Sequence, residues 1–180
     1  YTPYQPEISQ GRLEALLNFQ TMISEITSLP IANASMLDES TAAAEAMTMS
    51  FKLRNNKNTV ILDKFLHPQT INVIKTRAEP LGINLIISEK PENEDLTNCS
   101  SVIFQYPKPE GKIKNFQNEI KKMQEAGSMV ILVADLLSLA LIKSPGELGA
   151  DIAVGTTQRF GVPMGFGGPV SYTHLRAHET

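Results

Sequence analysis

Met129-Val130-Ile131-Leu132-Val133-Ala134-Asp135 is a run of six apolar residues closed by a carboxylate, and its reading decides the fold. The run is rich in β-branched residues and far too short to span a membrane. It reads as a strand covered on both faces. Similar short apolar runs stand at 59–62, 84–87, 101–105 and 152–154, and between them helical stretches fall at 68–81 and 112–125. Strands alternating with helices predict a parallel α/β sheet. Gly82 and Gly127 follow the two helices, where a left-handed residue ends a helix. Asp135 then lies at the carboxyl edge of the sheet, where open α/β folds bind ligands. A carboxylate there can pair with a cationic ring nitrogen or cap the turn into 136–142, and the pattern leaves both readings open.

Upstream of the sheet, Leu13, Leu16, Leu17, Ile23 and Ile26 recur at three- and four-residue steps and predict a helix over 9–29 with one buried face. After Pro30, Ser35 or Asp38 is placed to cap a second helix running to about Arg54. Its face is built from Ala42, Ala43, Ala44 and Ala46, which permit close approach by neighbouring elements on both sides. Asp38, Glu39 and Glu45 at its start suit the partial positive charge of a helix N-terminus and disfavour an anion there. Tyr1-Thr2-Pro3-Tyr4-Gln5-Pro6 is a proline-fixed arm suited to lie across a neighbouring surface. Gly161 to Pro169 holds four glycines in a loop that does not follow the dinucleotide fingerprint. His67, before Pro68, reads as a helix-turn residue.

The chain has 180 residues, 42% of them hydrophobic and 19% charged, with a net charge of -3. About one soluble domain is expected, with no membrane segment and no nucleic-acid partner. Cys99 is the single cysteine, so an internal disulfide is excluded and a reducing, intracellular compartment is favoured. Tyr1 reads as a truncation point. Val170 to Thr180 changes character abruptly and reads as a non-native tail; His174 and His178 lie in it without a third ligand, so no metal is expected. The expected organisation is an arm and helix over 1–30, a partial large α/β domain over 31–169, and the tail over 170–180.

Longer segments carry more than their spacing does. Tyr1 to Glu14, Leu17 to Met22, Asn33 to Met47, Ile103 to Pro107, Pro145 to Asp151 and Gln158 to Pro169 resemble the N-terminal half of the glycine decarboxylases, the P-proteins of the glycine cleavage system. The resemblance runs from Tyr1 to Pro169. It implies the fold type I, aspartate aminotransferase-like large domain of pyridoxal-phosphate enzymes. It also implies two similar halves, in one chain or split subunits, of which only the second carries the cofactor. The family's reaction is decarboxylation of glycine with transfer of the aminomethyl group to the lipoyl arm of the H-protein.

The same resemblance sets Gln158 where the active half has its Schiff-base lysine and Thr157 where it has the preceding histidine. Glutamine forms no imine. Asp38 and Glu39 stand at the start of the phosphate-binding helix, and Asp135 where the pyridinium partner is kept. No catalytic, cofactor-binding or metal residue is therefore expected in this chain, which on its own should be inactive and prone to associate. Tyr1, Tyr4, Gln5 and Arg12 are the candidates for an interface or substrate-access role toward the partner half. A bacterial cytoplasm is the favoured location, with a mitochondrial matrix as the other option. The alternatives are an α/β binding or regulatory domain without activity, and a pseudo-enzyme half kept for packing.

Overall fold

A computed structural model describes residues 10–33, 36–55, 57–161 and 173–177. Five strands run parallel: β1 (Thr59–Asp63), β2 (Asn84–Ser88), β3 (Cys99–Tyr106), β4 (Met129–Ala134) and β5 (Ile152–Thr156). Their order in the sheet is β2-β1-β3-β4-β5, followed by an antiparallel edge strand β6 (Thr173–Ala177). β1, β3 and β4 are buried along their whole length, which is why each reads as an uninterrupted apolar run and not as an alternation. The register pairs Ser101 with Met129 through to Tyr106 with Ala134, so the carboxyl ends of β3 and β4 finish together.

Two helices, α2 (Glu39–Leu53) and α3 (Pro68–Ala78), cover one face. Ala42, Ala43, Ala44 and Ala46 are all buried there against Val60, Leu62, Ile103, Ile131, Val133 and Val154. With four alanine methyl groups among its buried side chains, α2 lies close to the sheet and to α3 at once. The sandwiched position expected from the sequence follows. On the other face α4 (Gln117–Glu125) and the short α5 (Pro145–Leu148) cover Val102, Phe104, Tyr106, Val130 and Leu132. Phe116 anchors this side, its ring 4.8 Å from that of Phe104 and edge-on to Tyr106 at 6.0 Å.

The first helix, α1 (Gln10–Thr27), packs through Ile23, with Phe19 and Ile26, on Ala32, Leu136 and Leu139. Its C-terminal end is held tightly. Ser144 Oγ donates to Ser28 Oγ at 2.8 Å, and a Cβ at Gly146 would fall 1.9 Å from the Ser28 carbonyl oxygen. Only glycine lets α5 approach that backbone.

The structure departs from the sequence expectations in four places. Leu13 and Leu17 are exposed at 41% and 63%, so the first turns of α1 present their apolar side outward instead of burying it. The fourth helix starts at Gln117 and not at Lys112, because Asn115 accepts the Gln117 N–H at 3.0 Å in a local turn and Phe116 is drawn into the core. Helix α5 was not expected, although its Ser144–Glu147 capping box is a sequence signal. Residues 173–177, set outside the fold as part of a non-native tail, pair with β5 from Thr156–Thr173 to Ile152–Ala177. An open strand edge offers unpaired backbone groups to whatever chain follows it.

Candidate functional site

The carboxyl edge of β3, β4 and β5, beneath the N-terminal end of α2, gathers Asp135, Asp38, Glu39, Thr157 and Gln158. Asp135 follows β4, its N–H donating to the Tyr106 carbonyl at 3.1 Å. Its side chain takes the capping role read for it, and its other oxygen holds an arginine of this chain. Oδ1 accepts the Leu137 N–H at 3.2 Å and caps the turn, while Oδ2 pairs with a cation, the guanidinium Nη1 of Arg159. Arg159 sits in a single 3-10 turn (Gln158–Phe160) just beyond β5, which ends at Gly161 in the left-handed region with φ 103°. Sequence reasoning had not singled out Arg159.

Strand alternation puts Val133 and Asp135 on the face that α2 covers. Asp38 caps α2, its Oδ1 accepting the Thr41 N–H at 2.6 Å, and Glu39 follows it. Burial, with Asp135 and Asp38 nearby, pushes the Glu39 carboxyl up from 4.5 to about 7. The start of α2 is therefore a place where a further negative charge is disfavoured.

Gln105, opposite Val133 in the register, donates from Nε2 to the Val133 carbonyl at 3.2 Å. Among the described residues its Oε1 is buried with no hydrogen-bond partner, and so is Thr157 Oγ1. Gln158 donates its N–H to Thr156 Oγ1 at 3.2 Å and supplies no amine.

A second carboxylate at the same edge was missed. Asp63 ends β1 fully buried; Oδ1 accepts the Phe65 N–H at 3.1 Å, and Lys108 Nζ lies 3.4 Å from Oδ2 and 3.9 Å from the Phe65 ring centroid. Burial raises its pKa, and the Phe65 N–H and Lys108 oppose the rise. The signal was present in the sequence: Thr59-Val60-Ile61-Leu62-Asp63 repeats the apolar-run-then-carboxylate pattern of β4.

The remaining candidates fall apart from this edge. Tyr1, Tyr4 and Gln5 lie outside the described residues, as do 162–169 of the glycine-rich loop and Ser35. Arg12, in the first turn of α1, is partly buried and makes no ion pair among the described residues. His67 is exposed at the start of α3 and its carbonyl accepts the Ile71 N–H at 3.0 Å, the helix-turn role read for it. Burial pushes the Cys99 thiol up, which makes it a poor nucleophile. Among the described residues no cluster of three His, Cys, Asp or Glu side chains could hold a metal, and no helix is long and apolar enough to cross a membrane.

Comparison with known proteins places these features. Solved structures of distant sequence share the fold, among them the apo cysteine desulfurase of Thermococcus onnurineus (TM-score 0.71, 13% identity, 95% of this chain and 44% of that one). An apo methionine gamma lyase from Micromonospora echinospora matches similarly (TM-score 0.69, 15% identity, 92% and 44%). They show the fold type I, aspartate aminotransferase-like α/β architecture expected from the sequence. A crystal structure of glycine decarboxylase, the P-protein of the glycine cleavage system, in inhibitor-bound form superposes with TM-score 0.89 at 38% identity, covering 99% of this chain and 42% of that one. Glycine dehydrogenase (decarboxylating) from Sinorhizobium medicae is 55% identical and that from Rhizobium meliloti 54%, each over 170 residues and 94% of this chain. The chain spans 18% of the length of these relatives. The family description for the glycine cleavage system P-protein matches residues 1–178, and the chain belongs to that family.

Proposed function

We propose that this chain is part of the non-catalytic half of a glycine decarboxylase, the scaffold beside which the other half performs the reaction. The full enzyme would decarboxylate glycine with pyridoxal phosphate and pass the aminomethyl group to the lipoyl arm of the H-protein. Bound in the other half, the cofactor supplies an electron sink for the pair released with carbon dioxide.

The residues present here do not fit that cofactor. An imine needs a lysine, and the resemblance sets Gln158, which forms none, in its place. A ring nitrogen needs a free carboxylate, and Asp135 already holds Arg159. A phosphate needs an uncharged helix start, and α2 begins with Asp38 and Glu39. The occupied state of Asp135 is the observation that carries the reading. What remains for this half is structural: it orients α1 and presents the exposed Leu13 and Leu17 toward a neighbour.

The arm supplies the approach to the other half's pocket. Tyr1, Tyr4, Gln5 and Arg12 are its contacts, with Arg12 suited to pair with a carboxylate of the partner or of glycine. The bacterial relatives agree with a cytoplasmic enzyme, which stays part of the proposal. In the full enzyme, Tyr4→Ala and Arg12→Ala are each expected to lower decarboxylation, or affinity between the halves, by about tenfold, or about 1.4 kcal/mol. The test is a glycine decarboxylation assay with lipoylated H-protein. Wild-type kinetics and wild-type affinity in both variants would reduce the arm to local packing. Absence of any decarboxylation by the full protein would favour the alternative of a binding or regulatory domain.

A further inference from the structure

We propose that Arg159 and Glu39 act as specificity-determining residues that exclude a phosphorylated pyridine ring from this half, standing in for its two polar ends. The inference rests on the reading of this chain as the non-catalytic half and adds the residues that keep it empty. Loss of the lysine alone would not empty the site, because a ring and its phosphate can also be held without a covalent bond, by a carboxylate at one end and helix N–H groups at the other.

Both of those contacts are taken. The Arg159 guanidinium, pinned to the sheet edge by the 3-10 turn after β5, pairs with Asp135 Oδ2, the group that would otherwise face a cationic ring nitrogen. At the other end, the Asp38 side chain accepts one of the first free N–H groups of α2, that of Thr41, and Glu39 occupies the next position. Glu39 lies close enough to Asp135 and Asp38 to feel both. A phosphate arriving at α2 would meet an N-terminus whose Thr41 N–H is already taken by the Asp38 side chain, with a further acidic residue, Glu39, next in the helix. The two devices are coupled through Asp135: Arg159 neutralises the carboxylate that would otherwise disfavour Glu39 further. A bland salt bridge would tie the turn to the sheet and do no more. The exclusion reading differs from it in requiring that removal of both side chains create a measurable site.

The experiment uses the full-length holoenzyme, reduced with borohydride so that its own cofactor is locked in place. It is then titrated with pyridoxine phosphate, which has no aldehyde and reports non-covalent binding alone. Equilibrium dialysis of the wild type is expected to show no additional equivalent. In Glu39→Ser/Arg159→Ala an additional equivalent is expected, with affinity at least about tenfold above any residual wild-type binding. A urea transition as cooperative as that of the wild type shows that the variant is folded, and the single variants Glu39→Gln and Arg159→Gln serve if the pair is not. Adding Asp135→Asn to the double variant should abolish the new site. Uptake by the wild type, or continued exclusion by folded variants, overturns the exclusion role. A reduced pyridoxyl group found on this chain instead overturns the reading it rests on.

Discussion

Two strands of this sheet end in the same way and come to different uses. β1 reads Val60-Ile61-Leu62-Asp63 and β4 reads Val130-Ile131-Leu132-Val133-Ala134-Asp135, each a buried apolar run closed by a carboxylate at the carboxyl edge. Asp63 lies on the face of α4, fully buried, its charge answered by a lysine side chain that is itself 16% exposed and rests on Phe65. Asp135 lies on the face of α2 with 21% of its side chain exposed, paired to an arginine that is 56% exposed. One pair is built into the interior; the other sits over the edge where ligands of this fold are placed. The comparison teaches that a carboxylate at a strand end is informative only once its partner and its face are known.

The largest effect should separate the two. Asp63→Ala leaves Lys108 nearly buried without its counter-ion and is expected to cost about 3 kcal/mol, read from the urea midpoint at neutral pH. Asp135→Ala, measured the same way, should cost under about 1 kcal/mol, since its partner is free to turn to solvent. Equal losses would erase the distinction between a structural pair and an edge pair.

Next comes Glu39, which sharpens what Asp135 does to its surroundings. Its carboxyl is near 7 in the folded chain against 4.5 otherwise. The folded state therefore holds this proton more tightly. The stability that this provides is complete below about pH 4.5 and is lost as pH rises through about 7, a contribution of order 3 kcal/mol. Glu39→Gln should flatten that part of the profile. A wild type and variant with parallel stability curves between pH 5 and 8 would show that Glu39 ionises normally.

The smallest effect belongs to Arg159. Replacing it with alanine should change stability by less than about 1 kcal/mol, yet raise the carboxyl pKa of Glu39, because Asp135 is left uncompensated. A carboxyl-carbon NMR titration checks the direction; an unchanged or lowered value would break the link between the two residues.

Much of this was legible in the sequence, for physical reasons. Strands buried on both faces cannot hide, so β1, β3 and β4 stood out as apolar runs, and the alanine face of α2 announced its close packing. Gly82 and Gly127 marked helix ends because both take a left-handed conformation, φ 66° and 78°. Asp135 was found because position along the chain maps directly onto the sheet edge. Arg159 was not, since an ion pair across 24 residues depends on β4 and β5 being neighbours, a tertiary fact with no local pattern. Asp63 shares the β4 pattern, but its partner Lys108 follows β3, so their pairing depends on β1 and β3 being neighbours in the sheet. The late start of α4 was hidden because Asn115 and Phe116 compete with helical periodicity through a side-chain turn and core burial.

The central claim, that this half holds no cofactor of its own, is tested most directly by borohydride reduction of the full-length enzyme followed by peptide mapping of the pyridoxyl group. The account predicts one labelled lysine, located outside residues 1–169, and unmodified peptides throughout this chain. A stoichiometric label on any lysine within 1–169 would contradict it.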